Sequence, residues 1–235
     1  MQITKLLVRI SFLLVLTATS QISFPQSDPK LERVLDKMDQ AAASFRSTEA
    51  TFTWDQYQKV VDETDTQSGK IYFRRSGEEI QMAADINKPA ESAKYLLFTD
   101  SKIQIYDPRQ DQITVYNTKN RSEVEAYLVL GFGGKGHDLA KSFDVKYLGS
   151  EKLGTVETEK LDLVPKSEKV RNNFEHIILW IDPTNGISVQ QQLFPPLSGD
   201  YRLARYSNIK INQKVPDTAF KIKTTGKTKT VSTQG

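Results

Sequence analysis

The sequence predicts a mainly β protein with some α-helix. One amphipathic helix leads, about six antiparallel strands follow, a short helical stretch interrupts, and five more strands complete a set of about eleven. Three observations carry this prediction. From Ala50 onward apolar and polar residues alternate in short runs, the period-2 signature of strands. The runs are joined by short links holding turn formers, such as Asp100-Ser101 and Asp107-Pro108, which suits hairpins better than crossover helices. Before the strands begin, one stretch from Asp28 to Phe45 carries a helical repeat. A chain of 235 residues without cysteine can bury a sizeable core with no disulfide.

The N-terminus reads as an export signal over residues 1–20. Lys5 and Arg9 give a positive start, Leu6 to Leu16 form a short apolar run, and Ala18-Thr19-Ser20 offers the small residues a signal peptidase recognises. The run contains Arg9 and Ser11 and is about half the roughly twenty residues a membrane span needs. Cleavage after Ser20 would leave a periplasmic protein, and the absence of cysteine rules out a lipid anchor on that residue. An uncleaved anchor or a buried helix is the alternative. The domain expected after the signal is a single unit over 21–220, with a frayed Lys/Thr-rich tail over 221–235.

In the leading helix, Leu31, Val34, Leu35, Met38, Ala42 and Phe45 make one apolar stripe. Asp28 is placed to cap it, and Pro29 suits the first helical position. Strands are expected over 50–61, 70–75, 79–86, 95–99, 102–106 and 112–116. Residues 121–130 then read as a helix with Val124, Tyr127, Leu128 and Phe132 apolar. The glycines at 131, 133, 134 and 136 end it, either as a simple hinge or as the hinge of a lid. They do not match a phosphate-binding loop. A second short helix is expected over 137–143, then strands over 143–148, 157–164, 174–182, 188–194 and 201–211. Asp182-Pro183-Thr184-Asn185-Gly186 is a hairpin turn. Ile177 to Ile181 are apolar on both faces, so that strand must be covered twice or face a cavity.

Composition excludes several functions. The net charge of +3 falls to +1 without Lys5 and Arg9, which gives no nucleic-acid footprint. Two histidines, His137 and His176, give little material for a metal site or a triad, so no catalytic residue, metal or cofactor is expected. Glu157 and Glu159 share a strand face, which would suit an acid–base pair in a hydrolase, but a solvated strand face beside Lys160 is the reading the sequence favours.

Several stretches together resemble the outer-membrane lipoprotein carrier proteins of the LolA type. They are FRSTEATFTWDQYQ (45–58), GKIYFRR (69–75), YLLFTDSKIQIYDPRQDQITVY (95–116), EKLDLVPK (159–166), ILWIDPTNGISVQQQLF (178–194) and YSNIKINQKVPDTAFKI (206–222). The resemblance spans nearly the whole mature chain. It implies an unclosed antiparallel β-barrel whose helices cover a concave apolar face. It also implies acylated lipoprotein or lipid cargo, received from an inner-membrane ABC-type release complex and passed to an outer-membrane acceptor by a monomeric carrier. An arginine near the end of the second strand latches the helical lid in such proteins, and Arg75 matches it, with Arg74 as the register alternative.

Physical chemistry asks the same of the chain. An acyl chain of about fifteen methylenes, at roughly 0.8 kcal/mol each, costs about 12 kcal/mol to expose to water. A soluble carrier must therefore offer an apolar cavity. The candidate walls are Phe52, Trp54, Ile71, Phe73, Met82, Leu97, Ile103, Ile105, Val115, Ile178, Trp180 and Leu193. The covering helices would add Leu35, Met38, Leu128 and Phe132. A slip of one residue inverts the faces of a whole strand, and the same residues would also serve as a dry core. A lipid-sensing or regulatory module of the same fold is the alternative function.

Overall fold

A computed structural model describes residues 28–77, 79–117 and 130–233. Helix α1 (Pro29–Ser44) leads into β1 (Ser47–Gln58), β2 (Glu63–Ser76), β3 (Glu79–Lys88), β4 (Lys94–Thr99), β5 (Lys102–Asp107) and β6 (Gln112–Asn117). After a loop comes the short helix α2 (Gly136–Ser142), then β7 (Phe143–Leu153) and β8 (Val156–Pro165). A one-turn helix α3 (Glu168–Arg171) precedes β9 (His176–Asp182), β10 (Ile187–Phe194), β11 (Tyr201–Ile211) and β12 (Lys229–Thr233). The helix expected over 121–130, and the export signal, lie outside the described residues.

Helix α1 begins where Asp28 accepts a hydrogen bond from the Lys30 amide at 2.8 Å, with Pro29 in the first turn. Its buried residues are Val34, Leu35, Met38 and Ala42, the stripe the sequence shows. The strands end at turn residues that tolerate positive φ, among them Asp62, Asp100, Asp111 and Gly186.

All twelve described strands form one sheet in the order β12-β6-β5-β4-β3-β2-β1-β11-β10-β9-β8-β7. Every pairing is antiparallel except that of β12 with β6. The sheet does not close on itself: β12 and β7 are its two edges. One correction concerns the C-terminus. The tail expected to fray adds the twelfth strand, because Asp111 accepts hydrogen bonds from the Thr225 and Thr228 hydroxyls and the Lys229 amide bonds the Asp111 carbonyl.

The inner, concave face is the one on which α1 packs. It holds two apolar clusters. One gathers Phe52, Ile71, Phe73, Met82, Phe98 and Phe132 over β1–β4. The other gathers Leu35 and Met38 of α1 with Leu161, Leu163, Ile177, Leu179 and Ile181 of β8 and β9. A third cluster lies on the outer face, where Val215, Ala219 and Phe220 of the C-terminal segment cover Ala83 and Leu97.

Candidate functional site

Cross-strand register assigns each side chain to a face. Thr48, Phe73, Met82, Phe98 and Ile103 stand opposite one another across five strands, and Ala50, Ile71, Ala84, Leu96 and Ile105 form the next row. Apart from the buried Thr48 hydroxyl, these rows make a continuous apolar inner wall. Phe52 lies beyond them, fully buried, with Trp54 tilted against it at a ring separation of 4.7 Å.

A glycine-flanked loop fills this wall. Phe132 is fully buried, stacks on Phe73 at 4.6 Å and 10°, and meets Tyr206 edge-on at 4.8 Å. Three donors from the sheet hold the loop by its carbonyls. The Ser188 amide, at the bulge in β10, donates to the Gly131 carbonyl at 3.0 Å. The buried Gln191 amide donates to the Leu130 carbonyl. Arg75 donates to the Gly133 carbonyl at 2.9 Å. Glycine is needed here on two counts. Gly131 and Gly133 have φ of +75° and +79°, and a Cβ would collide with the Ser188 Cβ at the first position and with the Phe45 ring at the second.

Arg75 also reaches helix α1. Its Nε donates to the Phe45 carbonyl at 3.2 Å and its Nη2 to the Ala42 carbonyl at 3.4 Å. One guanidinium thus joins β2, the end of α1 and the Phe132 loop. Arg74 points the other way. It donates to Gln81 and to Asp217 and sits 4.1 Å over the Phe220 ring, fastening the C-terminal segment to the outer face.

Helix α2 is clamped to α1 by His137. Its Nδ1 lies 2.7 Å from Asp39 and its Nε2 3.1 Å from Glu32, while its amide donates to Asp39. The hydrogen bond to Asp39, then that to Glu32, raises the His137 pKa above 6.5. Burial works to raise the Asp39 pKa, but the hydrogen bonds from His137 outweigh it and hold the carboxyl below 3.8. Helix, loop and strand are therefore fastened from both ends of the Phe132 loop.

The model of the outer membrane lipoprotein carrier protein LolA matches residues 43–223. The chain belongs to the LolA family. The match begins at the end of α1 and takes in every strand from β1 to β11. No curated protein sequence matches the chain. Among solved structures, an uncharacterized conserved protein from Thermus thermophilus superposes with a TM-score of 0.56 at 10% identity, covering 87% of this chain and 99% of its own. MucB superposes with a TM-score of 0.53 at 11% identity, covering 84% of this chain, which spans 64% of MucB. At such identities these likenesses show the fold alone.

With the LolA fold in place, the candidate wall residues divide. Leu35, Met38, Phe52, Trp54, Ile71, Phe73, Met82, Ile103, Ile105, Phe132 and Leu193 lie on the inner side. Leu97, Val115, Ile178 and Trp180 do not, and their assignment to the inner wall is corrected. Leu97 packs against Val215 and Phe220 on the outer face. Val115 stands opposite Gln104, which stands opposite Leu97, so it shares that outer face. In β9 the inner residues are Ile177, Leu179 and Ile181, which turns Ile178 and Trp180 outward. Trp180 donates to Glu151 at 3.0 Å and lies under the Lys160 ammonium. Leu128 lies outside the described residues.

The polar candidates also have places. Glu159 accepts from Tyr147 at 2.5 Å and Ser150 at 3.0 Å, and its neighbour on the same face, Glu157, is exposed. His176, in β9, pairs with Asp162 at 2.8 Å and stacks on Phe194, while His137 sits in α2 with other partners. Among the described residues no group of three or more metal-ligating side chains converges.

Sequence reasoning missed three contributors: Phe98, Tyr206 and Gln191. Phe98 sits in an apolar run without alternation. Tyr206 and Gln191 belong to a buried polar thread in which the Tyr206 hydroxyl donates to Gln191 at 3.3 Å. Burial pushes the Tyr206 hydroxyl far above its ordinary pKa, with a hydrogen bond to Trp54 opposing. In the sequence Gln191 is the middle of three glutamines and Tyr206 lies in a strand of mixed polarity, so nothing there marks the thread.

Proposed function

We propose that this LolA-family chain is a periplasmic carrier that binds the acyl chains of lipoproteins or lipids along its inner face and moves them toward the outer membrane. One observation carries the reading: Phe132, on a glycine-flanked loop, fills an otherwise uninterrupted apolar wall and is held there by only a few polar contacts. An apolar side chain in that position is a stand-in for cargo. Withdrawing the loop exposes Phe73, Ile71 and Met82, and an acyl chain laid against them recovers burial at roughly 25 cal/mol per Å².

Arg75 is the latch in this reading. Its bonds to Phe45, Ala42 and Gly133 hold lid and helix together, and cargo entry exchanges them for water. The acyl chains come as lipoprotein or lipid cargo. Export by a cleaved signal, receipt from an inner-membrane ABC-type complex and delivery to an outer-membrane acceptor follow from the same reading. The role is binding, not catalysis. No helix among the described residues is long and apolar enough to cross a membrane.

The test is photocrosslinking with a diacylated peptide bearing a diazirine in one acyl chain. Labels on Phe52, Ile71, Phe73 and Met82, with none on Leu97 or Trp180, are the expected result. Labelling confined to the outer face, or none, would count against an inner-face carrier.

A further inference from the structure

Toward the ends of β1, β2 and β11 that carry the β1–β2 turn, the apolar wall gives way to a charged recess of about 100 Å³ lined by Trp54, Gln56, Asp65, Gln67 and Arg202. That volume matches about three waters at roughly 30 Å³ each. It is the size of a carboxylate or phosphate group, far too small for an acyl chain. Arg202 stands opposite Gln56 on one side and Leu193 on the other. Leu193 packs against the inner cluster of β8 and β9, and Trp54 against that of β1–β4. The recess is therefore the polar end of the apolar wall.

Arg202 has no anionic partner there. Among the described residues its guanidinium makes no ion pair or side-chain hydrogen bond; the nearby Arg205, by contrast, is paired with Asp55 at 2.5 Å on the other face. Asp65 also lines the recess, but it stands across Gln56, two strands away, or about 10 Å between backbones, and the two charges are not joined. Arg202 is an exposed residue whose guanidinium opens onto the recess, and the protein around it draws its pKa below the ordinary arginine value. An arginine remains charged under these conditions. An unpaired guanidinium at the polar end of an apolar wall is placed to meet an anionic group with charge-assisted hydrogen bonds.

The same end carries exposed aliphatic side chains. Val60 and Val61 at the β1–β2 tip are 93% and 56% exposed and Leu197 in the β10–β11 turn is 102% exposed. The two turns are joined by the Lys59 amide donating to Asp200 at 2.9 Å. An amphiphile reaching the inner face from this end meets apolar knuckles first and the Arg202 recess next.

We propose that Arg202 binds the single anionic headgroup of an amphiphile whose acyl chain lies on the inner face beside Trp54. The inference rests on the acyl-binding reading above and narrows its cargo to anionic amphiphiles, of which a fatty acid is the simplest. Carboxylate and phosphate headgroups share the required charge and fork-like geometry.

Trp54 supplies the signal for a test, because Trp180 is the only other tryptophan and faces outward. In a Trp180→Phe background, binding of palmitate, hexadecanol and inorganic phosphate is followed by Trp54 fluorescence. Palmitate should bind at least tenfold more tightly than hexadecanol, and phosphate alone should leave both unaffected. Arg202→Met should abolish that preference while hexadecanol affinity stays within twofold, which also shows that the variant is folded. Arg202→Lys should retain part of the preference. Equal binding of palmitate and hexadecanol, or a preference that survives Arg202→Met, overturns the headgroup assignment and leaves acyl binding standing. Displacement by phosphate alone overturns the amphiphile in favour of a free-anion site. Failure of both palmitate and hexadecanol to bind overturns the acyl-binding reading and this proposal with it.

Discussion

Phe132 sits between two rings that also belong to the sheet's own core, with Phe73 stacked and Tyr206 edge-on. Removing a buried phenylalanine from a fixed core costs about 3–5 kcal/mol. A phenylalanine that plugs a binding wall behaves differently, because the loop can leave with it. Phe132→Ala should therefore cost less than that range in urea unfolding and should raise the affinity for a diacylated peptide severalfold. A full core-sized loss with unchanged or weaker binding would show that Phe132 is ordinary core. Gly133→Ala makes the complementary case. Its φ of +79° and the collision of a Cβ with the Phe45 ring should cost roughly 1–3 kcal/mol and push the loop off its seat, read as greater protease access at residues 130–135. Arg75→Leu should free the same loop without a steric change, again tightening acyl binding. Arg74→Leu should not, because that side chain holds the C-terminal segment on the outer face.

At the scale of elements, the contact between α1 and α2 depends on pH. His137 gains its partners on folding and its pKa rises. Its contribution is therefore fully present below about pH 6.5, the unfolded value, and is lost as pH climbs through the higher folded value. Asp39 acts in the opposite sense: its lowered pKa contributes above about 3.8 and is lost as pH falls through the folded value. Between these limits the clamp is at its strongest, with Asp138 and Lys141 of α2 paired to each other nearby. The Tm difference between the wild type and His137→Gln should be largest between about pH 5 and 6.5 and should shrink by pH 8.5. A difference that does not change with pH would mean that the imidazole acts by packing alone.

At the scale of the whole molecule, most strand ends were legible because turn chemistry marks them: β11 runs over 201–211 as read, and α2 differs from its expected 137–143 by one residue at each end. Face was legible only where alternation was clean. Phe52, Trp54, Ile71 and Phe73 alternate with Thr, Tyr and Arg, and they lie inside. Ile177 to Ile181 and Leu96 to Phe98 carry no such alternation, so the outward turn of Ile178, Trp180 and Leu97 had no sequence signal. The cover over Leu97 comes from Val215 and Phe220, in a stretch whose lysines and threonines disguise a segment that ends as a sheet edge. The adjacent arginines 74 and 75 show the same limit, since only the register of β2 sends one to the C-terminal segment and the other to the loop. The His137 clamp was hidden because its partners lie about a hundred residues earlier.

The central claim is that the concave face under the Phe132 loop is built to hold an acyl chain. Native mass spectrometry of the protein recovered from a bacterial periplasm, before and after organic extraction, tests it most directly. The account predicts an added mass that extraction releases as an acylated molecule, with the stripped protein taking up a diacylated peptide again. A protein that emerges at its bare mass and ignores added diacylated peptide would make the inner face a dry core and contradict the account.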